Sequence, residues 1–168
     1  YNGLTADFLE DLKNQKYDFT FCSRMDQEPL IDFIPVARQE LVVIVPPDHP
    51  LSDRTEIRLC ETLDYPQILF SRRSGLRPMI DKLFLACGKQ PDCIFEIDED
   101  QTIAGFVANG FGIAVVPNMP ILASMHLKVI HITEANWERR FYIAYLKNRY
   151  RTPLAEQFLS YVKSHALI

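Results

Sequence analysis

Two apolar runs, each stopped by proline, constrain the fold of this 168-residue chain most. Residues 41–45 (LVVIV) end at Pro46-Pro47, and residues 113–116 (IAVV) end at Pro117. A short apolar run that proline stops is typical of a buried strand, because proline cannot donate a ladder hydrogen bond. The two runs bracket the middle third, so we predict that one leads out of a first lobe and the other leads back. Ligands then bind in the cleft between the lobes.

Strand and helix patterns alternate along the chain. Apolar or alternating runs predict strands at residues 18–22, 41–45, 67–70, 92–97, 113–116, 127–132 and 139–147. Apolar faces at helical spacing predict helices at residues 4–13, 59–63, 76–87 and 120–125, with a closing helix from Thr152 or Pro153. This order predicts an α/β fold with mostly parallel sheets, whose ligands lie at the carboxyl ends of strands. The predicted lobes are 1–45, 46–116 and a return part, 117–168.

The segment 98–119 combines an acidic helix start, a glycine-flanked turn and the second apolar run. Asp98, Asp100 and Thr102 precede a short apolar helix face, and Gly110 and Gly112 come after it. Helix N-termini offer unpaired N–H groups and a positive dipole end, which suit small anions. By spacing alone, simple N-capping explains these residues better than ligand contact does.

Polar residues at the ends of two other predicted strands are further candidates for ligand contact. Ser71 and Arg72 come directly after the strand that ends at Phe70, and Ser23 and Arg24 come after the strand that ends at Cys22. An arginine there can hold a carboxylate in a bidentate pair. The alternatives are a solvated basic loop after Phe70 and an ordinary polar loop after Cys22.

Composition and missing motifs narrow the function classes. A net charge of −4 and a pI near 5.6 argue against nucleic-acid binding by this part of the protein itself. The four cysteines form no CxxC pair, so we read Cys22 and Cys87 as buried free thiols, which favours a reducing, cytoplasmic setting.

We find no GxSxG, HExxH, P-loop or GxGxxG motif and no ligand spacing among the histidines, and therefore predict no enzyme activity, cofactor or metal. No apolar run approaches the roughly 20 residues of a membrane helix, and no secretory signal opens the chain.

Several motifs resemble those of one known family. Residues 40–52 (ELVVIVPPDHPLS) are similar to the linker-strand signature of LysR-type transcriptional regulators, and residues 76–91 (LRPMIDKLFLACGKQP) match their middle helix. The opening residues 2–5 (NGLT), with the helix and strand after them, resemble the end of the family's second effector-domain strand and its next helix and strand. A later pattern agrees as well, and it consists of Asp100, Thr102, Gly105, Val107, Gly110, Gly112, Ile113 and Pro117. The resemblance covers nearly the whole chain, and the order and spacing of the motifs carry it.

The resemblance implies an effector-binding domain with a two-lobe fold like that of type 2 periplasmic binding proteins. Such a domain binds a small metabolite between its lobes and changes how an N-terminal winged helix-turn-helix, absent from this chain, holds DNA. The family's first strand and helix are expected to be missing too. The resemblance also implies a homodimer or homotetramer in the full-length protein. Arg24, Arg72 and the helix N-termini favour a small carboxylate as the effector. The site residues that it favours, with those at the strand ends, are Ser23, Arg24, Phe70, Ser71, Arg72, Asp100, Gln101, Thr102 and Pro117.

Two other classes stay open on the sequence. One is a solute-binding protein of a transporter with the same fold, which would need a secretory signal or lipid anchor. The other is an enzyme on this two-lobe fold, against which the lack of a paired catalytic constellation argues.

Overall fold

The computed structural model describes residues 3–134 and 138–166, which form four α-helices and eight strands. Asn2, part of the opening motif, lies outside the described residues. The helices are α1 (Thr5–Lys13), α2 (Arg77–Ala86), α3 (Asp100–Ala108) and α4 (Pro153–Ser164). The strands are β1 (Thr20–Cys22), β2 (Ile31–Val45), β3 (Glu56–Ile57), β4 (Gln67–Phe70), β5 (Cys93–Ile97), β6 (Ala114–Pro117), β7 (Lys128–Ile132) and β8 (Glu138–Leu146). Two short 3-10 helices, Leu59–Thr62 and Pro120–Ser124, replace the short helices predicted there.

The chain divides into two compact units. Unit 1 is Tyr1–Gln39 with Arg139–Ile168, and unit 2 is Glu40–Glu138. The boundaries therefore differ from the predicted ones after residues 45 and 116. β6 lies within unit 2 and pairs antiparallel with the second half of β2, with Leu41 opposite Pro117.

Unit 1 is built on β1, β8 and the first half of β2. β1 and β8 are antiparallel, with Thr20 opposite Ala144 and Cys22 opposite Tyr142. In β1 the alternation of buried and exposed positions turns Thr20 and Cys22 inward and Phe21 outward. Two small clusters form the core, one of Leu9, Leu12, Cys22, Ile31 and Ala144 and the other of Ile143, Tyr145 and Leu159.

Unit 2 contains one larger core around the second half of β2. All five residues of that half, Leu41 to Val45, are at most 1% exposed. β6 and β7 pair antiparallel with it, whereas β3 pairs parallel with β7 and β5 parallel with β4. The prediction of an α/β fold is confirmed, but its sheets are mixed instead of mostly parallel, since β2 makes antiparallel pairs.

Three strand ends meet at one edge of unit 2. β4 and β5 run parallel with Phe70 opposite Ile97. A parallel bridge joins Gln67 to Ile113, and Ile68 N donates to Ile113 O at 2.8 Å. β6 therefore continues alongside β4 in the same direction, so Phe70, Ile97 and Pro117 end at the same edge.

The outer strand β5 is exposed on both faces, in contrast to the fully buried β4. Ile94 is 38% exposed and Phe95 is 40% exposed. Phe95 packs against Phe106 and Phe111 at centroid distances of 5.4 and 6.2 Å, and Phe111 is itself 54% exposed. Among the strands that the structure describes, β5 pairs only with β4. Unit 2 therefore carries a patch of exposed aromatic rings beside a strand edge.

The cysteines differ from the prediction of free thiols. Cys60, in the first 3-10 helix, and Cys87, at the C-terminal end of α2, form a disulfide with a Cα–Cα distance of 5.3 Å. A pairing of this kind is not visible in sequence, because the two residues meet only through packing of α2. Cys22 is a buried free thiol, as predicted, and Cys93 is an exposed one. Burial raises the pKa of Cys22 to about 12, against the opposing charge of Arg139.

Candidate functional site

Ser71 is the central polar residue at the edge of unit 2 where the strands ending at Phe70, Ile97 and Pro117 meet. It comes directly after the last residue of β4, and its N–H donates to Ile97 O at 3.0 Å. Its carbonyl accepts from Ser74 N, also at 3.0 Å. Its hydroxyl oxygen is buried and has no hydrogen-bond partner among the described residues. Because a buried hydroxyl without a partner is costly, such a group is expected where a ligand or water completes it.

The N-terminus of α3 lies at the same edge. β5 ends at Ile97, and α3 starts at Asp100 with Glu99 as its N-cap residue. No side chain caps the helix at Glu99, and the Asp100 carboxylate accepts from Gln101 N at 2.9 Å. Thr102 lies in the first turn and is exposed, as Gln101 is. Thr102 is therefore not the capping residue that spacing alone favoured, and its side chain is open to solvent.

Three other predicted residues have different surroundings. The Phe70 side chain is 2% exposed and belongs to the core of unit 2, and Pro117 is buried at the end of β6. Both side chains are buried in unit 2 and therefore offer little surface to a ligand. Arg72 is exposed on the loop after Ser71, where its charge helps to lower the pKa of Glu96.

Arg77 is a residue of this edge that the sequence did not single out. Its Nη1 donates to Phe70 O and to Glu96 Oε1, both at 2.7 Å, and its Nε donates to Asp81 Oδ1 at 2.8 Å. The hydrogen bond from Arg77 holds the pKa of Glu96 below its usual range, against a smaller effect of burial. One signal was present in the sequence, since Arg77 and Asp81 are four residues apart on a predicted helix.

The candidate residues in unit 1 also have defined neighbours. Ser23 is 6% exposed, and its hydroxyl accepts a hydrogen bond from Arg139 Nε at 3.3 Å. The Arg139 guanidinium lies 4.0 Å from the centroid of the Phe141 ring, a cation–π arrangement. Arg139 had no predicted role beyond starting a strand. Arg139 places a guanidinium cation beside Ser23, and a guanidinium can hold a carboxylate.

Arg24 has a less suitable environment for an anion. It is exposed and lines a cleft of about 250 Å³. The charged residues that share this cleft with it are Asp26, Glu28, Asp32 and Lys147. Lys13 pairs with Glu28 and Lys147 with Asp32, so the charges around this cleft nearly balance and do not specifically favour a bound carboxylate.

Metal clusters and membrane-spanning helices are both absent from the part of the chain that the structure describes. Within residues 3–134 and 138–166, no three His, Cys, Asp or Glu side chains are grouped so that they could hold a metal ion. None of the helices in the same ranges has the length and apolarity that a membrane crossing requires.

The comparisons with known proteins identify relatives of the whole chain. The family model described as the LysR substrate binding domain matches residues 1–167. The uncharacterised HTH-type transcriptional regulator YybE of Bacillus subtilis is 37% identical over 157 residues, which are 94% of this chain and 54% of that protein. CysL of the same organism is 22% identical over 97% of this chain and 56% of its own length. The chain thus spans about half the length of these regulators.

Solved structures agree with the sequence relatives. The effector binding domain of QuiR in complex with shikimate has a TM-score of 0.96 and 39% identity, over 99% of this chain and 79% of that one. The CcmR regulatory domain of Synechocystis PCC6803, in complex with 2-PG, has a TM-score of 0.83 over 97% of this chain and 80% of that one. At 23% identity the second structure shows the fold alone. The chain therefore belongs to the LysR substrate-binding domain family.

Proposed function

We propose that this domain senses a small hydroxylated carboxylate through Ser71 and the first turn of α3, with shikimate as the first candidate. The buried Ser71 hydroxyl, unpartnered among the described residues, carries the proposal. A ligand hydroxyl or carboxylate that bonds to it would remove the cost of leaving it unpaired. The 39% identity to a domain solved with shikimate supports the choice of compound.

The polar groups at this edge support a ligand with both hydroxyl and carboxylate groups. Ser71 and Thr102 offer hydroxyls that can donate or accept, and α3 presents its N-terminal N–H groups. Asp98, Glu99 and Asp100 make the same edge acidic, so we propose that it holds the hydroxyl groups of the ligand, with exposed Arg72 beside the carboxylate. Asp100, Gln101 and exposed Arg72 remain candidate contacts beside them.

Arg139 and Ser23 support a second candidate contact, in unit 1. Arg139 is a better candidate than Arg24 because Ser23 orients its guanidinium, whereas Arg24 is exposed at a cleft whose charges nearly balance. We therefore propose Ser23 with Arg139 as a carboxylate contact and rank Arg24 below them.

The role in the full-length protein is proposed from the relatives. They are transcriptional regulators, so we propose that effector binding changes how an N-terminal helix-turn-helix holds DNA, by favouring one conformation of the domain. The protein would act in the cytoplasm as a homodimer or homotetramer without enzyme activity. Light scattering on the full-length regulator tests the assembly, and a monomer at micromolar concentration would contradict it.

Calorimetric titration of the domain with shikimate and other small hydroxy acids tests the effector. We expect Ser71→Ala and Thr102→Val each to weaken binding about 5- to 20-fold, the value of one or two lost hydrogen bonds. Ser164→Ala is the matched control, since its exposed hydroxyl makes local bonds to Tyr161 O and His165 Nδ1 at the end of α4. Unchanged affinity in both site variants would show that the effector binds elsewhere.

A further inference from the structure

Arg77 occupies a position that local helix energetics do not explain. It is the first residue of α2, where the helix dipole disfavours a positive charge. It is also only 7% exposed, and the transfer of a charged group out of water is costly unless partners compensate for it. Its tertiary contacts must therefore account for its place.

Those contacts tie together three elements. The guanidinium bonds to the last carbonyl of β4, at Phe70, to Glu96 in β5 and to Asp81 in α2. The planar guanidinium presents several donors in a fixed geometry. A lysine ammonium is a single point on a flexible stem and cannot reproduce these contacts.

The contact to Phe70 acts directly on Ser71. The Phe70 carbonyl and the Ser71 N–H belong to one planar peptide unit. Arg77 donates to its oxygen at 2.7 Å, while its N–H donates to Ile97 O at 3.0 Å. The next peptide unit is held as well, because Ser71 O accepts from Ser74 N. With both flanking planes fixed, the direction of the Ser71 Cα–Cβ bond is fixed too, and its hydroxyl is limited to the staggered positions around that bond.

We propose that Arg77 is the positioning residue for the Ser71 hydroxyl. It holds the peptide unit between Phe70 and Ser71 and so sets the direction of the Cα–Cβ bond that carries this hydroxyl at the end of β4. Arg77 itself does not touch the effector. The expected effect of Arg77 on effector affinity rests on the proposed function. Its effect on the backbone at Ser71 can be tested without any ligand.

Amide hydrogen exchange of the free domain, followed by NMR, tests the structural part. In Arg77→Lys we expect the Ser71 and Ser74 amides to exchange about tenfold faster or more, relative to the Val43 amide in the core of β2, which reports global opening. Asp81→Asn is the matched control, since it leaves the Phe70 and Glu96 contacts in place, and its relative exchange should stay within about twofold. If Ser71 and Ser74 accelerate no more than Val43, the inference is overturned.

A double-mutant cycle with shikimate tests the link to binding. We expect Arg77→Lys to weaken affinity about tenfold when Ser71 is present and less than about twofold in the Ser71→Ala background. Additive losses in the two variants would overturn the inference even if Ser71 contacts the effector. If shikimate does not bind, or Ser71→Ala leaves its affinity unchanged, the proposed function fails instead, and the exchange measurement alone decides on Arg77.

Discussion

At the scale of single residues, Gly112 shows how closely the chain approaches itself beside the candidate site. A Cβ atom there would lie 2.9 Å from the Pro66 carbonyl oxygen and 3.1 Å from Ile94 Cδ1. A backbone oxygen cannot move away as a flexible side chain does. Gly105 in α3 is the opposite case, because a Cβ atom there would meet no described atom within 4 Å apart from its chain neighbours and the backbone of its own helix.

These two glycines give a paired prediction. Gly112→Ala should lower the free energy of unfolding by about 1–3 kcal/mol, since an extra methyl group forces its neighbours to shift. Gly105→Ala should raise it by about 0.5–1 kcal/mol, because alanine is the better helix former. Urea denaturation followed by circular dichroism measures both. Equal effects of the two substitutions would contradict the packing described at Gly112.

Residue types at strand ends could be predicted, but the partners of the arginines could not. Ser71 and Ser23 were predicted as site residues because each comes after a short apolar run, and β4 begins and ends where it was predicted. Arg77 and Arg139 were missed because their partners are distant along the chain. Arg77 bonds to Glu96, 19 residues away, and Arg139 bonds to Ser23, 116 residues away. Whether Ser71 and Thr102 contact an effector stays a prediction.

At the scale of secondary-structure elements, the Cys60–Cys87 disulfide ties a 3-10 helix to the end of α2. The cysteines are 27 residues apart in sequence, so their bond closes a loop of moderate length in the unfolded chain. The conformational entropy that it removes from the unfolded state corresponds to about 3–4 kcal/mol at this loop length. Cys60 is exposed, which leaves the bond open to attack by a thiolate.

Reduction of this disulfide should therefore destabilise the domain. We expect dithiothreitol to lower the free energy of unfolding by up to about 3–4 kcal/mol. The double variant Cys60→Ala and Cys87→Ala should be equally stable with and without the reductant. Cys93→Ser should keep the full sensitivity, since Cys93 is an exposed free thiol. Thermal melts under both conditions measure the effect, and a wild-type domain that ignores the reductant would refute it.

Element predictions succeeded where apolar residues are concentrated and failed where pairing alone defines the strand. Residues 41–45 form a strand as predicted, but β2 starts ten residues earlier, at Ile31. Its first half contains Pro35 and several charged residues and is only partly buried, so pairing with β8 defines it. β3 has two residues and leaves no pattern to detect. β6 was predicted to be a return crossing because the two proline-stopped runs bracket the middle third, and its pairing with β2 could not be read from that pattern.

At the scale of the whole molecule, Glu40 is the first residue of unit 2, and its side chain bonds to two parts of that unit that are distant in sequence. Its carboxylate bonds to His131 Nδ1 in β7 at 2.6 Å and accepts from Asn118 Nδ2, just after β6, at 2.8 Å. Burial raises the pKa of Glu40, but these hydrogen bonds outweigh it, and the net result is a pKa below the usual value. Because the folded state binds the proton less tightly than the unfolded state, acid favours unfolding.

The pH dependence of stability has the sign that this lowered pKa dictates. The contribution of Glu40 is complete above the ordinary glutamate pKa of about 4.3 and is lost as pH falls through its lower folded value. Glu61 and Glu96 act in the same direction, since their pKa values are lowered too. We expect stability to fall below about pH 4.5 and to fall less steeply in Glu40→Gln. Urea midpoints at several pH values measure this, with Glu10→Gln on the exposed face of α1 as control. An unchanged slope in Glu40→Gln would contradict the assignment.

The exposed strand β5 also determines how the isolated domain behaves during purification. Both of its faces carry apolar side chains in contact with water, and its outer backbone groups can pair with any other extended chain. Glu96 is its only charged residue and is ion-paired with Arg77, so the strand itself offers little electrostatic repulsion between two such edges. The net charge of −4 must supply the repulsion between molecules, so concentrated samples are best kept near neutral pH and at low ionic strength, where like charges repel most strongly.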